Sequence, residues 1–284
     1  MKTDYCKDKI SLIKVVIGVV LCLVTLTLGQ SAMFIIQSKM NSILGNIVSA
    51  IVYISIVYLL LKLICQKLLR INITECKITK VRVQMKWIAV GILLPSVVMA
   101  ILFLSKGTFT TNSFSLKESL YIITNQIFAS AFAAAIVEEM IFRGVMYTIF
   151  EKRWNKSVAI IIPAMIFPLG HLGYSKNAVD ILLVFVAGIT VSSMFAMVAR
   201  ESNSIWNSVF IHFVWNIFMV RGIFSFNENY SPEVIFSYLL PYKVKVISGG
   251  NFGIESSFIS VVAYILVILI AIYFINRSGE KDEK

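Results

Sequence analysis

Six polar side chains sit inside otherwise apolar stretches of this sequence: Glu138, Glu139, Arg143, His171, His212 and Asn216, with Asp180 near the end of another such stretch. An ionised side chain at the centre of a membrane helix costs about 2.5–3.5 kcal/mol on insertion scales, so each of them demands a reason. The chain has two histidines, and both fall in apolar segments. In AAAIVEEMIFRG, Glu139 and Arg143 are i,i+4, share a helix face and can pair, which lowers the cost of burying both. Glu138 points about 100° away and has no local cation, so its partner must come from another helix. Ala131, Ala133, Ala134 and Ala135 precede it, and small residues let a neighbouring helix come close. FPLGHLG places His171 beside two glycines and a proline, and in HFVWN His212 and Asn216 again face one way.

One carboxylate, two imidazoles and an amide suit the activation of a water molecule. A buried glutamate, Glu138, can take the water proton and pass it to a leaving amine. The histidines either hydrogen-bond that water or, with Glu138, ligate a zinc ion: Glu138, His171 and His212 are then the metal ligands. Asn216 can donate its amide to a developing oxyanion. No serine, cysteine or threonine stands in a triad-like setting, and the soluble metalloprotease pattern HExxH is absent. The plainer readings are a buried ion-pair network at Glu138, Glu139 and Arg143, an interfacial His171, and an interhelical hydrogen-bond pair at His212 and Asn216. A second glutamate without a partner is a poor structural device, which weighs toward chemistry.

The segments that must carry these residues follow from composition. The 284 residues are 58% hydrophobic and only 14% charged, against about 45–50% and about 25% in soluble domains. That excludes a soluble enzyme, a disordered chain and a secreted disulfide scaffold. A spanning helix needs about 20 mostly apolar residues. Eight segments qualify, at roughly 12–36, 43–65, 87–104, 118–150, 157–172, 178–199, 204–220 and 257–276. The expectation is an all-α polytopic membrane bundle of about eight transmembrane helices, forming a single membrane domain over 1–284. The fourth segment is too long for one span, and its polar first half is expected along the interface. The fifth, with Pro163, Pro168, Gly170 and Gly173, is expected to be kinked and buried among other helices. At about 1.5 Å per residue, the polar groups of three separate helices reach depths between about 12 and 21 Å, as one buried site requires.

The net charge of +11 reads as membrane topology rather than as a nucleic-acid surface. With the N-terminus inside, most Lys and Arg fall on the cytoplasmic side, including Lys2, Lys7, the 62–86 region, Lys152, Arg153 and Lys284, so both termini are expected in the cytoplasm. The first segment reads as a retained span, not a cleaved signal. Residues 66–86 form a basic stretch suited to anionic lipid headgroups or, equally, to a solvated loop. Residues 221–256 form a long outer loop, expected to cap the bundle rather than to gate it. Cys6, Cys22, Cys65 and Cys76 show no CxxC spacing and are assigned no role.

EEMIFR (138–143), FPLGH (167–171) and HFVWN (212–216) together resemble the EExxxR, FxxxH and HxxxN motifs of the CPBP family, in order and approximate spacing. That family comprises the type II CAAX prenyl endopeptidases and the bacterial bacteriocin-processing or immunity proteins called Abi. The resemblance covers roughly 118–220 and implies an intramembrane endopeptidase core there. It implies that Glu138 and His171 activate the water, that His212 and Asn216 bind metal or stabilise the oxyanion, and that Glu139 and Arg143 support them. It leaves open whether the mechanism is that of a metalloprotease or of a metal-free glutamate protease. Implied partners are membrane lipids and a peptide or membrane-protein substrate: a prenylated CAAX protein in eukaryotic relatives, a leader peptide or bacteriocin in a bacterial plasma membrane. Two other classes compete, a non-catalytic immunity or scaffold protein and a proton-relaying transporter. The transporter is disfavoured because no internal repeat is present.

Overall fold

The computed structural model describes residues 9–241 and 243–282. Lys2, Cys6, Lys7 and Lys284 lie outside them. α1 (Leu12–Met40) begins at Ser11 and α2 (Ile43–Leu63) at Ser42, whose side chains accept the first free backbone N–H groups. Such caps satisfy donors that a helix start leaves open. The last turns of α2, Ile64–Leu69, widen into a π-helix. α3 (Met85–Phe103) is followed by the short strand β1 (Thr108–Thr111).

α4 is one continuous helical rod, Leu116–Arg153, opened by a Ser115/Glu118 capping box. Its polar first half continues as helix into the apolar half through the π-helical run Asn125–Ala133. A second π run, Glu139–Met146, begins directly after Glu138. α5 (Lys156–Ile166) carries Pro163 and tightens at Phe167 into a 3-10 helix, Phe167–Tyr174. The expected distortion is present, but this segment lies at the edge of the bundle, with Leu169 and Gly170 exposed.

α6 (Ala178–Ser202) starts on an Asn177 cap. α7 (Trp206–Met219) has only 14 residues. At about 1.5 Å per residue it is too short to cross a bilayer unaided. Among the described residues seven helices are long and apolar enough to do so unaided, and the segment expected over 204–220 is a 14-residue helix packed inside the bundle. The outer loop folds β2 (Phe224–Asn227) and β3 (Phe236–Leu239) onto β1 in the order β1-β3-β2, antiparallel then parallel. α8 (Lys245–Ser248) and the 3-10 turn Ile254–Ser256 lead into α9 (Phe258–Asp282).

Two apolar cores result. One joins α1, α2 and α4 through residues such as Val57, Leu61, Ile141 and Met146; the other joins α3, α6, α7 and α9 through Trp87, Phe195, Trp215 and Tyr264. α7 contributes to both, with Val209 in the first and Ile211 in the second, so its His212 is held between them. The basic 66–86 stretch does not float: Lys77 pairs with Glu151 at 3.3 Å, Lys152 with Glu75 at 2.9 Å, and Lys86 with Glu201. Its backbone also takes up the start of α7, where Ile205 N–H donates to the Lys77 carbonyl at 3.1 Å.

Candidate active site

The centre of the site is a pair of adjacent glutamates with different surroundings. Glu139 is fully buried, and its Oε1 lies 3.0 Å from Arg143 Nη1 and 3.0 Å from His212 Nδ1. Arg143, equally buried, is further held by the rings of Phe167 and Phe195, 4.9 and 5.1 Å from its guanidinium carbon. A carboxylate paired with arginine can only accept, so the His212 proton sits on Nδ1 and Nε2 presents a lone pair. Phe195 stacks on the imidazole at 4.6 Å and 19°, fixing the plane of the ring.

Nε2 of His212 faces Glu138 Oε2 at 3.9 Å. That separation is too long for a direct hydrogen bond and suits two acceptors that share one water. Both groups line a cavity of about 480 Å³, together with His171 and Asn216. His171 Nδ1 lies 3.2 Å from the Phe167 carbonyl, which accepts its proton and leaves Nε2 free. The tight 3-10 turn after Pro168 brings the ring to the wall; Pro168 in turn packs against Gly188 of α6, where a Cβ would stand 2.6 Å from the proline Cβ. Asn216 Nδ2 donates to the Ser130 carbonyl at 3.1 Å, so one of its amide protons is engaged and one remains for an oxyanion.

Thus Glu138, His171, His212 and Asn216 share one chamber, while Glu139 and Arg143 stand behind it as supports. The zinc ligand set is another matter. Among the described residues no three His, Cys, Asp or Glu side chains stand together as a metal site. Two donors on a tetrahedral zinc would be about 3.3 Å apart, nearer than Glu138 and His212. As they stand, Glu138, His171 and His212 do not fit a shared ion.

Asp180 is buried but serves elsewhere. It accepts from the Lys176 backbone at 3.2 Å, from Asn177 at 2.9 Å and from Asn251, with Lys245 at 3.5 Å. It therefore clamps the returning outer loop to the start of α6. The last turn of that loop also lines the cavity through Asn251, Phe252 and Glu255. Glu255 lies in a loop remote from every motif, and sequence spacing gave no sign of it. Gln126 was missed for another reason: it is uncharged, although a buried glutamine in an apolar helix is itself a signal. It donates to the Asn216 carbonyl at 2.6 Å and to that of Val220 at 3.2 Å, fastening the end of α7 to α4.

With these positions in place, the comparison with known families is decisive on one point. Residues 121–218 match the family model of the type II CAAX prenyl endopeptidase Rce1-like proteins. That stretch, about a third of the chain, is similar to this family. This is the family the three motifs resemble, and all three lie within the matched stretch. The matched stretch begins in the polar half of α4 and ends in α7, so it contains the three motifs, while α1 (through Gln30), the outer loop and α9 line the cavity from outside it. No curated protein and no solved structure matches the chain. The similarity of residues 121–218 to a membrane family and the seven long apolar helices among the described residues fit a multi-pass membrane protein.

Proposed function

We propose that the protein is an intramembrane endopeptidase that hydrolyses a peptide bond in a membrane-associated peptide or protein, with residues 118–220 as its catalytic core. The observation that carries the reading is the 3.9 Å gap between Glu138 Oε2 and His212 Nε2 at the wall of the cavity. A water held there donates a hydrogen to each and turns an oxygen lone pair outward. Glu138 takes the proton as the oxygen attacks the scissile carbonyl, and the remaining Asn216 N–H meets the developing oxyanion. His171, which lines the same cavity, orients the carbonyl or the water. Glu139 fixes the His212 proton on Nδ1, and Arg143 holds Glu139 in place through the ion pair.

The substrate class is a lipid-anchored or membrane-inserted peptide, either a CAAX-type prenylated terminus or a leader peptide, reached from the cytoplasmic half of the membrane. The host membrane in this reading is a bacterial plasma membrane. The test is cleavage of quenched-fluorescent peptides, with and without an S-farnesyl group, by purified protein in lipid nanodiscs. Glu138→Gln is expected to lower turnover by about 10²–10⁴-fold at unchanged thermal stability. Because the three candidate ligands do not fit a shared ion, turnover is expected to survive chelation by 1,10-phenanthroline. Undiminished turnover of Glu138→Gln would remove Glu138 from the water-activating role, a wild type that cleaves nothing would favour the scaffold reading, and chelator-sensitive turnover would favour a zinc site assembled only with substrate.

A further inference from the structure

We infer that Glu255, contributed by the outer loop, is the acid of this site and delivers the proton that the leaving amine requires. The inference rests on the proteolytic reading above and adds a residue that none of the three motifs contains. Glu255 lines the same cavity as Glu138, His171 and His212. Its Oε1 accepts from the Trp215 indole at 3.2 Å, and its backbone carbonyl accepts from the Tyr264 hydroxyl at 3.1 Å. Trp215 is almost fully buried and stands on α7 between His212 and Asn216, so the carboxyl is tied to the helix that carries the rest of the site. The other carboxyl oxygen is left for the cavity. The turn itself cannot drift, because Ser256 Oγ donates to the Gly249 carbonyl at 2.6 Å and Asn251 is held on Asp180.

The chemistry needs such a group. When water attacks, one proton goes to Glu138 and a C–O bond forms; when the tetrahedral intermediate collapses, the C–N bond breaks and nitrogen must gain a proton. Glu255 supplies that proton and becomes a carboxylate. The proton on Glu138 then returns it to the acid form through cavity water, so the net reaction is peptide plus water giving acid plus amine. The surroundings of Glu255 favour its protonated form. Burial pushes its carboxyl above the ordinary range; His171, the Trp215 hydrogen bond and His212 pull against this, and the Glu138 charge adds to it. Glu233 and Arg221, on the same wall, are the other charged groups that face the chamber.

The experiment compares a quenched-fluorescent peptide that the wild type cleaves with the matching aryl ester, whose phenolate departs without a proton. Glu255→Gln is expected to lower turnover of the amide by about 100-fold or more and of the ester by less than about threefold. A purely structural residue would depress both alike, and that result, or an undiminished amide rate, overturns the inference while leaving the Glu138 reading intact. Wild-type protein that cleaves no peptide in the library overturns both. Trp215→Phe supplies a second arm. Without the indole N–H the acid holds its proton to higher pH, so the alkaline fall in amide turnover should move upward; an unmoved limb counts against Glu255. The infrared difference between wild type and Glu255→Gln at neutral pH should show a protonated-carboxyl band, and its absence also refutes the assignment.

Discussion

The two ring nitrogens of His212 face different carboxylates, and that division makes Glu139 more than a counter-ion. Its Oε1 serves Arg143 and His212 at once, each at 3.0 Å, in surroundings from which water is excluded. Glu139→Gln leaves an acceptor for the histidine but strands a buried guanidinium, and breaking a buried pair in this way costs about 3–5 kcal/mol. A marked fall in the unfolding temperature in detergent is expected, with a loss of peptide turnover. Replacing both partners, Glu139→Leu with Arg143→Met, should recover much of the stability, because no unpaired charge remains. Turnover should stay low, because nothing then holds the His212 proton on Nδ1. Recovery of both together would show that the pair serves packing alone. At this scale the sequence was readable in part. The i,i+4 spacing gave the Glu139–Arg143 pair and left Glu138 unpaired, but the His212 contact joins residues far apart in the chain and no local pattern encodes it.

Among the elements, the 3-10 segment after Pro168 has the least support of its own and carries His171. Its position is set by Gly188 on α6, where the missing side chain lets the proline ring approach. Gly188→Val would push Pro168 and the following turn away from the chamber. Since the segment lies at the bundle edge, most of the displacement should appear in function: turnover falls by at least about tenfold, as a misplacement near 1 Å can cost more than this, while the unfolding temperature changes little. A large drop in stability with normal specific activity of the surviving fraction would refute this account. Proline and glycine in FPLGHLG foretold a distorted helix, since proline removes a backbone donor. They did not foretell that it would lie at the edge, because burial depends on neighbours that the segment's own sequence does not name. The same limit explains α7. Its apolar run reads as a span, but Asn207, Ser208, His212 and Asn216 are all buried, and a helix with partners on every side need not reach either lipid surface.

For the whole molecule, the number of long apolar helices and the number of crossings differ, and the difference decides where the termini lie. Seven spanning helices alone would place the ends of the chain on opposite sides. The packing says otherwise. The start of α1 packs at Gly18 against Leu69 and Ile149, at the ends of α2 and α4. The start of α7 is bonded to the 66–86 stretch through Lys77, and its far end is fastened by Gln126 beside the outer loop, so this short helix still traverses the bundle. The end of α9 lies beside the start of α3, with Phe274 and Trp87 rings 5.9 Å apart. Both ends of the described chain therefore emerge on the face that bears Lys77, Lys86, Lys152 and Lys156. By the positive-inside rule that face is expected to be the cytoplasmic one, the expectation that the distribution of Lys and Arg along the sequence already raised. Fusing a fluorescent protein that matures only in the cytoplasm to either terminus should give signal in both cases, and alkaline phosphatase, active only outside, should stay silent at both. A fusion at residue 112, between β1 and α4, should give the reverse pattern. Opposite behaviour at the two termini would mean that α7 does not carry the chain across, and His212 could not then meet Glu138 from the far side of the membrane.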